Sequence, residues 1–388
     1  MPKPKIALNI VDWAYKVDEG NFESCEIMRF LQKYLGHKYD FVLSNRPKYV
    51  LYGPFGDSHL DFDESCIRIF TTGENIRTDF NLADYGIGYD LLCFGERHLH
   101  YPLYFSCTAD LNGALKKHLI CDSRPKFCAF VVSNDRADKI RGAFFEALCE
   151  YKRVDSGGAW KNNIGGAVSD KDAFLRQYKF NLCFENSAHK GYVTEKLIQA
   201  FAAGCVPIYF GDESLCDEKY AKFRPVFNPK AFINVHNFDS IESAIKEIER
   251  IDNDKSAFES MRKEPIFRTE CLEEFLGAKF ANGGGQNNKC DIWSNDIWSA
   301  ENIEQTAESI INHTEQILAD FYDNIFALGT KQIKYGQHLS EYFAQRRSDR
   351  MARAWKIRTK NALWKIRCIL IAPLKWIRTL WRKMAWRL

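Results

Sequence analysis

Hydrophobic and polar positions fall into blocks whose period changes repeatedly along the chain. Residues 5 to 11 (KIALNIV), 40 to 43 and 49 to 52 read as short strands, while 24 to 35 (SCEIMRFLQKYL) carries helical spacing. A further strand, CIRIFTTG (66 to 73), ends at a loop carrying Glu74 and Asn75. Around 121 to 125 the text turns polar, and KFCAFVVSND then opens a new apolar run. A domain boundary is expected there, with one domain over 1–122 and a second over 124–330. From 126 onward the pattern predicts strand 127–132, loop 133–138, helix 139–151, a Gly-rich stretch, helix 170–178, strand 180–184, helix 194–203 and strand 205–210. In the last unit Leu197, Ile198 and Phe201 form an apolar stripe, Gly204 stands where a helix ends, and CVPIYF is a buried-strand run. Strand, helix and strand in roughly 30 residues make a βαβ unit with a right-handed crossover. Helices are also expected at 240–251 and 299–328. The whole predicts an α/β layer structure.

Composition narrows the class. With 388 residues, 46% hydrophobic and 14% aromatic, the chain can build two globular cores. The basic start and short apolar run before Asp12 read as a first buried strand, not a signal segment. Nowhere do eighteen apolar residues run together, so no spanning helix is expected. The 13 cysteines are odd in number and lack any Cys-x-x-Cys pair, which points to reduced, mostly buried thiols in a cytoplasmic protein.

The formal charge of +3 hides an asymmetry that changes the picture. Residues 341–388 hold 14 Lys and Arg against Glu341 and Asp349, so the rest carries 40 basic and 49 acidic groups. Residues 351–388 also hold five of the nine tryptophans. There Leu374, Ile377, Trp381, Met384 and Leu388 step by three and four, with Lys375, Arg378, Arg382 and Arg387 on the remaining face. Pro373 separates this segment from a similar one before it. Cations and Trp at an amphipathic boundary compose an interfacial membrane helix, and several basic groups near an anionic leaflet give reversible docking. The competing reading is a helix docked on its own protein or on an acidic partner such as RNA. The membrane reading is preferred, which puts the protein on the cytoplasmic face of the inner membrane and leaves nucleic acid out.

Candidate chemistry concentrates in FENSAHKGYVTEKLIQAFAAGCVPIYFGD (184 to 212). In open parallel sheets ligands bind beyond the carboxyl ends of strands, beside helix N-termini. Thr194 is placed to cap the helix, its free amides favour an anion, and Lys196 suits phosphate. Glu195 would compete with an anion unless it faces hydroxyls or developing positive charge, and a sugar becoming oxocarbenium-like provides both. An acid in a first helical turn is equally an ordinary dipole partner. Arg141 opens a helix after another buried strand, where it is either a second phosphate ligand or a solvated arginine. Asp61 and Asp63 resemble a metal-holding Asp-x-Asp, but they precede a strand and read as a solvated turn. His98 and His100 share a strand face without a third ligand, and Gly86 and Gly88 do not complete a dinucleotide fingerprint. No metal or cofactor is expected.

The run FNLCFENSAHKGYVTEKLIQAFAAGCVPIYFGD resembles the donor-binding signature of the α-1,3-fucosyltransferases. FTTGEN (70 to 75), FCAFVVSN followed by Arg141, FNLADYGIGYD and YPLYF extend the likeness toward the bacterial branch, densely over 66 to 215. The resemblance implies a GT-B arrangement: two Rossmann-like domains facing a cleft, acceptor in the first, donor in the second, with a late helix crossing back. It implies inverting, metal-independent transfer from GDP-fucose to an N-acetyllactosamine-type glycan, with Glu74 as general base. Arg141 and Lys196 match diphosphate positions, Asn186 and Tyr192 nucleoside or ribose contacts, and Glu195 the residue against the fucose ring. His189 and Lys190 depart from the Gly-rich loop of gastric bacteria, and no seven-residue repeats precede the C-terminus. The expected role is a peripheral-membrane enzyme decorating lipid-linked glycans, such as lipopolysaccharide O-chains with Lewis-type structures. The alternatives are transfer of another nucleotide sugar, or a non-catalytic glycan- or membrane-binding protein.

Overall fold

The computed structural model describes residues 2–120, 122–277 and 297–334. Its first part runs β1 (Lys5–Val11), α1 (Glu26–Leu35), β2 (Asp40–Leu43), β3 (Tyr49–Tyr52), β4 (Ile67–Thr71), β5 (Tyr85–Gly88), β6 (His98–His100) and α2 (Thr108–Leu115). Six strands form one sheet in the order β2-β1-β3-β4-β5-β6, every neighbouring pair parallel. The central strands β3 and β4 are short and buried almost throughout, and within β4 the buried Arg68 is satisfied by the carbonyls of His59 and Phe62.

A second set follows: β7 (Lys126–Phe130), α3 (Lys139–Tyr151), β8 (Val154–Ser156), α4 (Lys171–Leu175), β9 (Tyr178–Phe184), α5 (Glu195–Ala202), β10 (Val206–Phe210) and β11 (Ile233–Asn234). These five strands make a separate parallel sheet, β11-β10-β9-β7-β8. Then come α6 (Ile241–Asn253), α7 (Lys255–Lys263), α8 (Thr269–Gly277) and α9 (Ile303–Leu328). α6 starts at a capping box in which the Ser240 and Ser243 hydroxyls each accept the other residue's amide.

The two sheets are joined by helix packing. Gly113 of α2 lies against Ala202 of α5, where an added Cβ would sit 3.1 Å from the Ala202 Cβ. α9 returns to the first sheet's helices. Lys33 reaches Glu315 at 2.9 Å, Lys38 reaches Asp323 at 2.7 Å, and Phe326 stands edge-on to Tyr49 with ring centroids 5.0 Å apart. The chain beyond it is tied down by buried Asp84, which accepts from the amides of Gln332 and Ile333 and from Lys331.

Several expected boundaries shift. The helix expected over 170–178 stops at Leu175, because Tyr178 and Phe180 pair with Lys126 and Cys128 and begin the strand early. The helix expected from 299 begins at Ile303. Strands β5, β6, β8 and β11 and helices α2, α7 and α8 were not separately expected. β6, β8 and β11, of three, three and two residues, carry too little period to read, whereas the four-residue β2 and β3 match the strands expected at 40–43 and 49–52. The expected basic tail, 341–388, lies outside the described residues. Among the described residues no helix is long and apolar enough to cross a membrane.

Candidate active site

Because every ladder is parallel, each sheet gathers its strand-to-helix loops along one carboxyl edge. The two edges face each other across a cavity of about 290 Å³. Gly73 and Glu74, beyond β4, line it from the first sheet. Residues Val131 to Asn134 beyond β7, Arg141 in α3, Asn186 beyond β9, and Tyr192, Glu195 and Lys196 at the mouth of α5 line it from the second. The fold therefore brings together all six residues singled out from sequence.

The mouth of α5 is held by a residue that sequence reasoning passed over. Glu185 directly follows β9 and is wholly buried. Its carboxylate accepts from the Thr194 amide at 2.8 Å, the Thr194 hydroxyl at 2.7 Å and the Lys196 ammonium at 3.2 Å. Thr194 occupies the N-cap position, but its hydroxyl turns to Glu185 instead of capping a helix amide, which corrects the expected role. At the other end Gly204 takes φ of 75°, and the amides of Gly204 and Cys205 bond the carbonyls of Phe201 and Ala200. This left-handed close is what glycine permits and what turns the chain into β10.

Arg141 is a buried cation with donors to spare. One terminal nitrogen donates to the Phe184 carbonyl and to Asn186 Oδ1, both at 2.8 Å, and the other approaches the Asn134 carbonyl at 3.4 Å. Its Nε makes no hydrogen bond. The loop after β7 and the end of β9 with its following loop thus converge on one guanidinium, fixing Asn186 beside it.

Burial and ion pairing set the charges. Burial raises the Glu195 carboxyl, but Lys196 first, then its own backbone amide and Lys171, outweigh it and hold the group below its usual range. Burial depresses Lys196, yet Glu185 and Glu195 reverse this and keep it an ammonium. For Glu185 burial dominates, so its proton affinity stays raised despite Lys196 and Thr194. Burial lowers Arg141. Burial, then Glu185 and Glu74, push the Tyr192 phenol far up, so it remains a neutral donor. Lys196, expected with Arg141 at the diphosphate, is paired with Glu185 at 3.2 Å and Glu195 at 3.6 Å, which anchor it at the cavity wall.

Glu74 projects from an exposed turn whose amide donates to Thr72 Oγ1 at 2.9 Å. Its neighbour Asn75 reaches across to the Ser187 hydroxyl, directly bridging the two halves. Tyr89 packs edge-on against Tyr192, with ring centroids 5.2 Å apart. The remaining candidates are structural. Asp63 closes a turn on Ser65. His98 and His100 donate to the carbonyls of Asp90 and Tyr89 at 2.9 and 2.8 Å. Gly86 and Gly88 lie within β5, away from any helix start.

Residues 9–106 match the model of the alpha-(1,3)-fucosyltransferase FucT N-terminal domain, and residues 121–263 match glycosyltransferase family 10 (fucosyltransferase), C-terminal part. A solved alpha1,3-fucosyltransferase with GDP is 31% identical with a TM-score of 0.54, covering 69% of this chain and 83% of that one. The chain belongs to glycosyltransferase family 10, the fucosyltransferase family. A second alpha1,3-fucosyltransferase structure, with GDP-fucose, has 28% identity and a TM-score of 0.55 over 74% of this chain and 94% of the other. This family 10 chain is also 34% identical over 305 residues to alpha-(1,3)-fucosyltransferase FucT of Helicobacter pylori, covering 69% of the chain and 61% of that relative's length. Its GT-B architecture, two parallel α/β sheets facing one cavity, is that of these family members.

Proposed function

We propose that the protein is an inverting fucosyltransferase that moves L-fucose from GDP-β-L-fucose to the 3-hydroxyl of N-acetylglucosamine in N-acetyllactosamine-type glycans. One observation carries it: Glu74, from the first sheet, lines the same cavity as Arg141, Glu195 and Lys196 from the second. A base on one wall and cations on the other suit a displacement in which an alcohol attacks as a nucleoside diphosphate leaves.

In this scheme the diphosphate lies against Arg141, Lys196 and the first amides of α5, which meet its charge without a divalent ion. Asn186 and Tyr192 hold the nucleoside side. Glu195, kept ionised beside the sugar, stabilises the positive charge that grows as the bond to the diphosphate lengthens. Glu74 removes the proton from the attacking hydroxyl, the new glycosidic bond forms on the opposite face, and the bonding pair departs with GDP. No cofactor enters. The basic segment 341–388 would dock the enzyme on the cytoplasmic face of the inner membrane, close to lipid-linked glycan acceptors.

The test is Glu74→Gln. Transfer should fall by roughly 10²- to 10⁴-fold, the usual contribution of a positioned base, while GDP-fucose still raises the melting temperature as in the wild type. Full turnover in the variant would remove Glu74 from the mechanism. Absence of any thermal shift with GDP-fucose in the wild type would remove the donor.

A further inference from the structure

Among the described residues eight large hydrophobic side chains are exposed, and five of them, Tyr15, Phe55, Ile76, Leu92 and Phe94, lie on loops that leave β1, β3, β4 and β5. Tyr15 and Phe55 follow β1 and β3 on the carboxyl edge that carries Glu74 after β4, whereas Phe94 lies back at the amino edge, against Arg97, which donates to the Ala83 and Asp84 carbonyls. Phe94 is covered by Phe80 and Arg97. Phe55 is the most open, 57% exposed, and Tyr15 follows Trp13 with ring centroids 6.4 Å apart.

The loops bearing these rings are laced together. Asp12, immediately after β1, takes φ of 59°, a left-handed conformation that side chains other than Asn and Asp rarely adopt. Its carboxylate accepts from the amides of Ser58 and His59 and from His59 Nδ1, at 2.8 to 2.9 Å, and its carbonyl accepts from the Phe55 amide at 3.0 Å. Phe55 is therefore held by the β1 loop, next to the strand that delivers Glu74. Because β1, β3 and β4 are consecutive in the sheet, the Tyr15, Phe55 and Glu74 loops span about 10 Å at ordinary strand spacing. That is the reach of two linked pyranose rings.

We infer that Tyr15 and Phe55 form an aromatic platform for the acceptor, stacking on the C–H face of the sugar next to the one that Glu74 deprotonates. A neutral hexose presents hydroxyls at its rim and carbon-bound hydrogens on its faces. Flat rings on loops of the sheet edge that carries Glu74 suit that division, whereas a phosphate would gain nothing from them. The ligand class is a neutral disaccharide of hexose and N-acetylhexosamine. The inference rests on the transfer reaction proposed above, but it concerns binding, so the two can fail separately.

The experiment is titration of full-length protein with free N-acetyllactosamine in the presence of saturating GDP, followed by ligand-observed NMR, for wild type, Phe55→Ala and Tyr15→Ala. Both side chains are exposed, so truncation leaves the core intact. Phe55→Ala should weaken disaccharide binding about tenfold and Tyr15→Ala several-fold, while free N-acetylglucosamine binding and GDP affinity change less than twofold. Unchanged disaccharide binding in both variants overturns the platform, as does no disaccharide binding by the wild type. Equal losses for monosaccharide and disaccharide also overturn it, since the rings would then serve the reacting sugar. Binding as expected without any turnover keeps the platform and rejects the transferase.

Discussion

The buried carboxylate of Glu185 and the ammonium of Lys196 meet at 3.2 Å beneath the cavity wall, with the Thr194 hydroxyl touching both. Glu185 is not among the residues lining the cavity, so it acts through Lys196 and the first turn of α5. Replacing it with Gln preserves shape but removes the charge that aims the ammonium. GDP should bind about tenfold or more weakly in Glu185→Gln. Combined with Lys196→Ala, the two effects should fall short of adding, with a coupling of about 0.5–3 kcal/mol. Strict additivity in the titrations would mean that Glu185 holds only the fold.

Asn75 and Ser187 join the two halves beside Glu74. Ser187→Ala removes the bridge without touching the donor ligands. Turnover should drop several-fold while GDP affinity stays within twofold, since the base and not the donor loses its register. A matching loss of GDP binding would assign Ser187 to the donor site instead.

Asp212 and Arg224 form a fully buried ion pair at 2.6 Å, just beyond β10. Asp212 also accepts from the Ser214 amide and hydroxyl, at 2.8 and 2.6 Å. Deleting one partner strands the other charge, so Asp212→Ala should lower stability by about 3–5 kcal/mol. Chemical denaturation checks this, and a change below about 1 kcal/mol would show that the site relaxes or hydrates.

Lys117 supplies a pH signature. It is buried, donates to the Arg262 carbonyl at 2.7 Å and lies 5.2 Å from the Phe201 ring centroid. Burial pulls its ammonium down to about 7, with Glu264 opposing and Arg262 assisting. The unfolded chain, with an ordinary lysine near 10.5, then holds more protons than the folded one above about pH 7. Stability linked to Lys117 therefore rises with pH between about 7 and 10. The melting temperature of wild type relative to Lys117→Met should climb from pH 7 to pH 9, and a flat difference would show the ammonium to be solvated.

Much of this was legible in the chain. Leu197, Ile198 and Phe201 announced α5, Gly204 its end, and CVPIYF the next strand, because burial on one face imposes a period and a left-handed close demands glycine. The short edge strands were not legible. β8 and β11, of three and two residues, exist through pairing with β7 and β10, and nothing in their own order of residues requires it. The early start of β9 at Tyr178 has the same origin.

For the site, residue order alone determined the types: a carboxylate after one strand, a Thr-Glu-Lys helix start after another, and an arginine opening a third helix. Which groups meet was decided by tertiary structure. Glu185 follows Phe184 on a run that alternation cannot orient, and only the placement of α5 over β9 turns its carboxylate toward Thr194 and Lys196. The convergence of Glu74 on Lys196 crosses about 120 residues of sequence. Local propensity extends over a few residues, whereas a cavity between two sheets exists only once both are folded and α2 has docked on α5.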